Sequence, residues 1–397
     1  RPYQAEFIGL MLFSASGLML LAASADLITI YLALELATLP LVALAAFTKA
    51  QARSIEAAVK YLILSAVSSA VLIYGFAFLY GATGTVRLLS ETEPTIAQVI
   101  ATKGTAVPFG GYGLLAGAIL ATAGFGFKLS LVPFQMWTPD VYEGAPTPVA
   151  AFLAVASKAA AFAIVLRLFF TAFGDSSQDW TTMFAVLAAI TMTVGNTVAI
   201  AQSNVKRLLG YSAIAHAGYM LIGVAAVSSK SFVGQGDLGM ESTLFYLVAY
   251  AAMTLAAFFV IIAISDRTND DSIESLAGIG TRSPMLAAVL SLALLGLTGI
   301  PPTVGFMGKL FLFNAAVNAD LLWLAVFGAV NSVVSAYYYF GIIRTLYLRD
   351  PVDRSPISPA LTSRFALAVT SASILILGFW PSGLMNLATN TAIGLAP

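Results

Sequence analysis

Eleven stretches of this chain stay apolar long enough to cross the roughly 30 Å hydrocarbon core of a bilayer. They fall at about 6–24, 27–47, 57–80, 111–137, 148–173, 181–202, 208–226, 242–265, 284–313, 321–348 and 363–381. Inside hydrocarbon every backbone N–H and C=O needs a partner within its own segment, which for single apolar stretches means a helix. The pattern therefore predicts an all-α membrane protein of about eleven transmembrane helices. Composition agrees: 59% of the residues are hydrophobic and 10% charged, where a soluble domain carries roughly 25% charged residues.

Two of these spans are interrupted. "GFGFKLSLVPFQMW" (124–137) places Pro133 five residues after Lys128, and "LTGIPPTVGFMGK" (297–309) places Pro301 and Pro302 after Gly299. Proline removes a donor and breaks the helix, so these segments are expected to be buried against other helices or to face water. The breaks lie five spans apart, an odd number, so the two broken helices cross in opposite directions. This predicts two inverted five-helix repeats, 1–173 and 181–348, and a C-terminal transmembrane helix within 349–397. Discontinuous helices in inverted repeats are the architecture of ion-moving membrane proteins.

Charge sets the orientation. Lys60, Lys128, Lys158 and Lys309 lie inside spans or at their mouths. Of the other fifteen Lys and Arg, eleven fall on the side that holds Arg1, and only Arg87, Lys103, Arg167 and Lys230 on the other. The positive-inside rule then puts the chain start in the cytoplasm and the C-terminus outside.

Several chemistries are excluded. There is no cysteine and a single histidine, His216, so disulfides, thiolate-held iron–sulfur clusters, bis-histidine haem and an ordinary zinc site are ruled out. There is no nucleotide-binding glycine motif. Zero net charge and the lack of a basic stripe argue against nucleic acid. Any redox step belongs to another subunit. Arg1 leads directly into an apolar stretch with no cleavable signal, so natural residues are expected to precede it.

The ionisable residues inside oil are the informative ones: Glu35 in "YLALELATLP", Lys60 in "IEAAVKYLIL", Lys128, Lys158 in "AVASKAAAFA", and Lys309. Lys128 and Lys158 each lie fifteen residues from a turn near 143, and Glu35 and Lys60 flank a turn near 48 in the same way. Equal spacing predicts similar depth, hence a row of one acid and three bases. A charge there costs several kcal/mol unless it is paired, hydrated or neutralised. A Glu35–Lys60 pair would favour both charged forms, and opening it would let Lys60 act on Lys128, giving coupled proton sites. The bland alternatives are snorkelling or static pairing for Lys60 and an end anchor for Lys309. His216, mid-span in "LLGYSAIAHAGYM", suits a proton relay or a hydrogen-bonded packing role. "YYYF" (337–340) reads as packing or interface belt, and Asp140 and Glu143 as turn or capping residues.

Read in order, "LELATLPLVAL" (34–44), "EAAVKYLILSAVSSA" (56–70), "FKLSLVPFQMWTPDVYEGAPTPVAAFLAVASKAAAFA" (127–163), "VKRLLGYSAIAHAGYM" (205–220) and "GIPPTVGFMGK" (299–309) resemble subunit N of the NADH:quinone oxidoreductase (respiratory complex I) family. The resemblance implies an antiporter-like proton-pumping subunit. It places the family's membrane glutamate on Glu35 with its paired lysine on Lys60, the broken-helix lysine on Lys128, and the following ones on Lys158 and Lys309. A family histidine matches His216. It implies no cofactor in this chain, with flavin mononucleotide, iron–sulfur clusters and quinone on other subunits. The implied partners are further membrane subunits, antiporter-like ones among them, and the lipid bilayer. The implied location is the bacterial cytoplasmic membrane, with a plastid thylakoid membrane as the alternative.

Two departures stand out. The family often has histidine where Gln135 stands, and glutamine cannot take up a proton near neutral pH. The family usually has fourteen spans, so three N-terminal helices are expected beyond this sequence. The rival functions are a cation/proton antiporter subunit on the same scaffold, a scaffold subunit whose pump has decayed, and a free-standing solute transporter. A sodium site would gather several oxygen ligands in the membrane, where Glu35 is the one clear carboxylate. Retention of Glu35, Lys128, Lys158 and Lys309 argues against decay, and no polar substrate pocket is evident.

Overall fold

A computed structural model describes residues 3–103, 107, 111–173, 177–227, 237–268, 270–351, 355–357 and 359–395. Arg1, Lys230 and Arg354, which entered the charge count, lie outside them. The described residues divide into two units, one running to Trp180 and the other from Thr181, with 393–395 grouped with the first.

The first unit contains α1 (Gln4–Ala23), α2 (Leu27–Ala45), α3 (Ala52–Thr83), α4 (Ile96–Lys103), α5 (Gly111–Leu129), α6 (Trp137–Gly144), α7 (Thr147–Phe152), a π-helical turn at Leu153–Ser157, and α8 (Lys158–Phe173). Helix α9 (Ser177–Ala199) contains the division. The second unit continues with α10 (Val205–Ala225), α11 (Leu238–Thr268), the short α12 (Ile279–Arg282), α13 (Pro284–Thr298), α14 (Val304–Asn318), α15 (Leu322–Leu348), α16 (Leu361–Phe379) and α17 (Ser382–Leu395). Among the described residues ten helical segments are long and apolar enough to cross a membrane. The ninth expected span is the pair α13 and α14, each too short alone. The eleven-span reading holds, and α17 is an additional helix that hydropathy did not mark.

Helix ends follow local chemistry. Asp26 caps α2, accepting from the Thr29 backbone N–H at 2.9 Å and its hydroxyl at 2.7 Å. Asn204 caps α10 through the Arg207 N–H at 3.0 Å. Helix α3 stops at Gly84 in the left-handed conformation, φ 76°.

The two breaks satisfy their own backbones. After α5, the Leu131 N–H returns to the Gly126 carbonyl at 2.8 Å and the Phe134 N–H to Leu131 at 2.6 Å. After α13, Gly299 takes φ 91° and the N–H groups of Gly299 and Ile300 both return to the Leu295 carbonyl, at 3.0 and 3.1 Å. Pro133, Pro301 and Pro302, which have no N–H to satisfy, are exposed. Other residues of both segments meet the expectation of burial against other helices: Leu129, Ser130 and Leu131 in the first break and Thr303 and Val304 in the second are buried. Helix α16 lies on the second break, where a Cβ at Gly378 would collide with the Pro302 carbonyl.

A third irregularity was not anticipated. Span five is continuous in hydropathy yet contains the π turn immediately before Lys158.

Close helix approach in the second unit depends on Gly305. A methyl there would overlap the Gly296 carbonyl and stand 2.7 Å from Met253 Sδ, separating α14 from α13. Gly305→Ala is therefore expected to destabilise the protein by about 1–3 kcal/mol, as overpacking does. Thermal unfolding of detergent-purified protein reads this directly, and an unchanged midpoint would contradict the contact.

Candidate functional site: buried amines at two broken helices

In the first unit the centre is Lys128, in the last turn of α5 and 2% exposed. Its ammonium donates to the Thr38 hydroxyl on α2 at 2.5 Å and to the Tyr61 hydroxyl on α3 at 3.2 Å. An aromatic wall encloses it. The Trp137 ring lies 4.9 Å from Tyr61 and 5.3 Å from Phe127, and the indole N–H of Trp137 donates to the Phe127 carbonyl at 2.7 Å. Glu35 is half-buried one turn before Thr38 on α2, close enough for its charge to act on Lys128. Lys158, 1% exposed, donates to the Leu129 carbonyl at 2.9 Å. That carbonyl belongs to the C-terminal end of α5, which carries partial negative charge. Glu35, Lys128 and Lys158 are thus gathered around one break.

Lys60 is not part of that group. Its ammonium is 2.7 Å from Asp140 and 2.7 Å from Glu56, and its side chain is 43% exposed. The expected Glu35–Lys60 pair is corrected: α6, beyond the break, brings Asp140 across to α3. Asp140 is more than a turn residue, and Glu143 stands 3.8 Å from Arg53 on the same seam. Gln135 lies in the break with its side-chain oxygen buried and unpartnered.

In the second unit Lys309 is 4% exposed. Its three donors go to the carbonyls of Leu297 and Thr298, at 3.1 and 2.8 Å, and to the Ser332 hydroxyl at 3.0 Å. Both carbonyls belong to the end of α13 freed by the second break. The ammonium also stands 4.4 Å over the Tyr219 ring. Each unit therefore presents the carbonyl end of a broken helix to a lysine from the segment that follows.

His216 sits on α10, the most buried helix of this unit. Its Nδ1 is 2.8 Å from the Tyr246 hydroxyl and its Nε2 3.3 Å from that of Tyr339. Both ring nitrogens have hydroxyl partners, so either tautomer is satisfied. A network of neutral polar groups extends from there. Ser212 meets Tyr339 at 2.5 Å, Tyr338 donates to Asn196 at 3.0 Å, Asn196 reaches Tyr219 at 3.5 Å, and Ser332 donates to Tyr219 at 3.2 Å. In the aromatic run at 337–340, Tyr338 and Tyr339 are packed in the interior and are hydrogen-bonded as well, while Tyr337 and Phe340 are exposed.

Sequence reasoning missed Thr38, Tyr61, Tyr219, Ser332 and Asn196. A signal existed for two of them, since Thr38 lies on the helical face of Glu35 and Tyr61 adjoins Lys60. Among the described residues no group of three or more His, Asp or Glu could hold a metal ion. Chemically, the two centres offer amines, an imidazole and hydroxyls, all able to exchange protons.

Residues 24–335 match the family described as NADH:quinone oxidoreductase/Mrp antiporter, transmembrane. NADH-quinone oxidoreductase subunit N of Dehalococcoides mccartyi is 45% identical over 98% of this chain and 79% of that protein. Its counterpart in Desulforamulus reducens is 42% identical over 98% of this chain and 78% of that protein. A chain in respiratory complex I from Thermus thermophilus superimposes with a TM-score of 0.81 at 35% identity, covering 97% of this chain and 81% of that one. A chain of the Mrp complex from Dietzia sp. gives 0.85 at 22% identity over 98% of this chain and 77% of that one, a likeness of fold.

Proposed function

The chain belongs to the NADH:quinone oxidoreductase/Mrp antiporter transmembrane family, and on that premise we propose that it is the subunit N type of proton-translocating membrane subunit in an NADH:quinone oxidoreductase. It works as part of a translocase, with the redox chemistry of flavin mononucleotide, iron–sulfur clusters and quinone on other subunits. Its partners are the other membrane subunits, further antiporter-like ones among them. It is a multi-pass protein of the bacterial cytoplasmic membrane, with its first span entered from the cytoplasm and its C-terminus outside.

The observation that carries the reading is the state of the buried amines. Lys128 and Lys309 are held almost fully inside the protein by hydroxyl and carbonyl oxygens, with no carboxylate within salt-bridge distance among the described residues. A permanently charged structural amine would be expected to have such a partner at this depth. Groups without one are suited to gaining and losing a proton. Lys128 and Lys158 take up protons from the cytoplasm under the influence of Glu35, and Lys309 releases them, with His216 as a relay. The two repeats, 1–173 and 181–348, each supply one such centre. Gln135 holds water in the first break without titrating.

The rival is a cation/proton antiporter subunit of a related complex. A sodium site gathers several oxygen ligands from carboxylates and carbonyls, and the centres here present amines and hydroxyls. This supports protons.

The test is NADH-driven quinone reduction and proton translocation in membrane vesicles, with and without sodium. Glu35→Ala should lower both by about tenfold, the loss expected when one charge of a coupled set is removed. Wild-type rates in this variant, or a strict requirement for sodium, would defeat the reading.

A further inference from the structure

The geometry points to Lys60 as a tether between α3 and α6, held by Asp140, rather than as a carrier of protons. The inference rests on the proposed translocation function and assigns Lys60 and Asp140 as positioning residues for Lys128.

Lys60 has two carboxylate contacts of equal length, and they differ in kind. Glu56 lies one turn back on the same helix, so its bond joins nothing new. Asp140 lies eighty residues away on α6, the segment beyond the break after Lys128. Only the second bond ties two elements together. The seam it closes is otherwise tight. A Cβ at Gly144 would approach the Arg53 carbonyl to 2.5 Å. On α6, Asp140 stands three residues from Trp137, so the two share a face. On α3, Lys60 adjoins Tyr61. The ion pair therefore joins the same two helices as the Tyr61–Trp137 contact, and Tyr61 supplies one of the two hydroxyls on the Lys128 ammonium.

With the pair intact, α6 is fixed on α3, the Trp137 indole stays on the Phe127 carbonyl, and the Tyr61 hydroxyl stays aimed at Lys128. With Asp140 lost, Lys60 keeps Glu56, and α6 is left with only the longer 3.8 Å contact of Glu143 with the largely exposed Arg53. The side chain is 43% exposed, unlike the enclosed amines, and Glu35 is not among its hydrogen-bond or salt-bridge partners.

Arginine separates a tether from a carrier, because a guanidinium can bridge to Asp140 yet does not give up its proton. Translocation and quinone reduction would be measured per amount of assembled complex for five variants. Lys60→Ala and Asp140→Asn should each lower translocation by about fivefold, the scale of a well-placed partly exposed ion pair. The double variant should fall no further, as partners in one contact are non-additive. Lys60→Arg should recover most of what Lys60→Ala loses, and Glu56→Gln should match wild type. The tether is overturned if Lys60→Arg is as poor as Lys60→Ala, if Asp140→Asn matches wild type, or if Glu56→Gln falls as far as Asp140→Asn. Lys128→Ala run alongside keeps the two claims apart: wild-type translocation there defeats the functional reading itself, whereas its loss leaves any failure with the tether.

Discussion

Lys128→Ala is expected to lower coupled proton translocation by roughly a hundredfold, the lower end of what a positioned proton-transfer group contributes. The side chain touches hydroxyls from two other helices, Thr38 on α2 and Tyr61 on α3. Alanine leaves both hydroxyls facing a cavity, and a water molecule there could restore hydrogen bonds but not a fixed proton-binding site. Lys128→Met fills the space without the charge and should fall as far. Vesicle acidification per assembled complex is the measurement. A methionine variant that pumps normally would reduce Lys128 to a packing residue.

Lys309→Met is expected to produce a loss of similar size, again roughly a hundredfold, and it tests a structural alternative at the same time. Lys309 caps the end of α13, taking two carbonyls that the break leaves open, and a cap alone contributes to stability. Methionine keeps the length and removes both the cap and the proton site. If Lys309 were only a cap, thermal stability would drop while translocation per folded complex stayed at the wild-type rate. The proton-site assignment requires the reverse weighting, with translocation lost in complexes that still assemble. The Ser332 hydroxyl, the third partner of Lys309, would remain bonded to Tyr219.

These two lysines were visible in the sequence because a charge in hydrocarbon stands out from its neighbours. So were Glu35, Lys158 and the proline breaks. Their partners were hidden for a physical reason. Hydroxyls are ordinary in membrane helices, where they bond back to their own turn, and Thr38 does this too, reaching the Leu34 carbonyl at 2.6 Å. Only its place one turn after Glu35 sets it apart in the sequence from Thr83, which returns to Leu79 in the same way. Tyr338 and Tyr339 read as packing or belt without their hydrogen bonds, because a tyrosine ring is oily whether or not its hydroxyl is used. Lys60 was assigned the wrong partner because matched distances from a turn report depth and say nothing of which way a side chain faces. Helix number was the most legible property, since it depends only on the length of apolar runs.

The π turn at Leu153–Ser157 has a consequence of its own. A π turn holds about one residue more than an α turn, and each residue of a helix advances the azimuth by about 100°. Everything after Ser157 is thus dialled round relative to the residues that begin the same helix at Thr147. Lys158 is the first residue after that offset, so the aim of its amine at the end of α5 is set by a single extra position of chain, a bookmark that neither hydropathy nor residue type discloses.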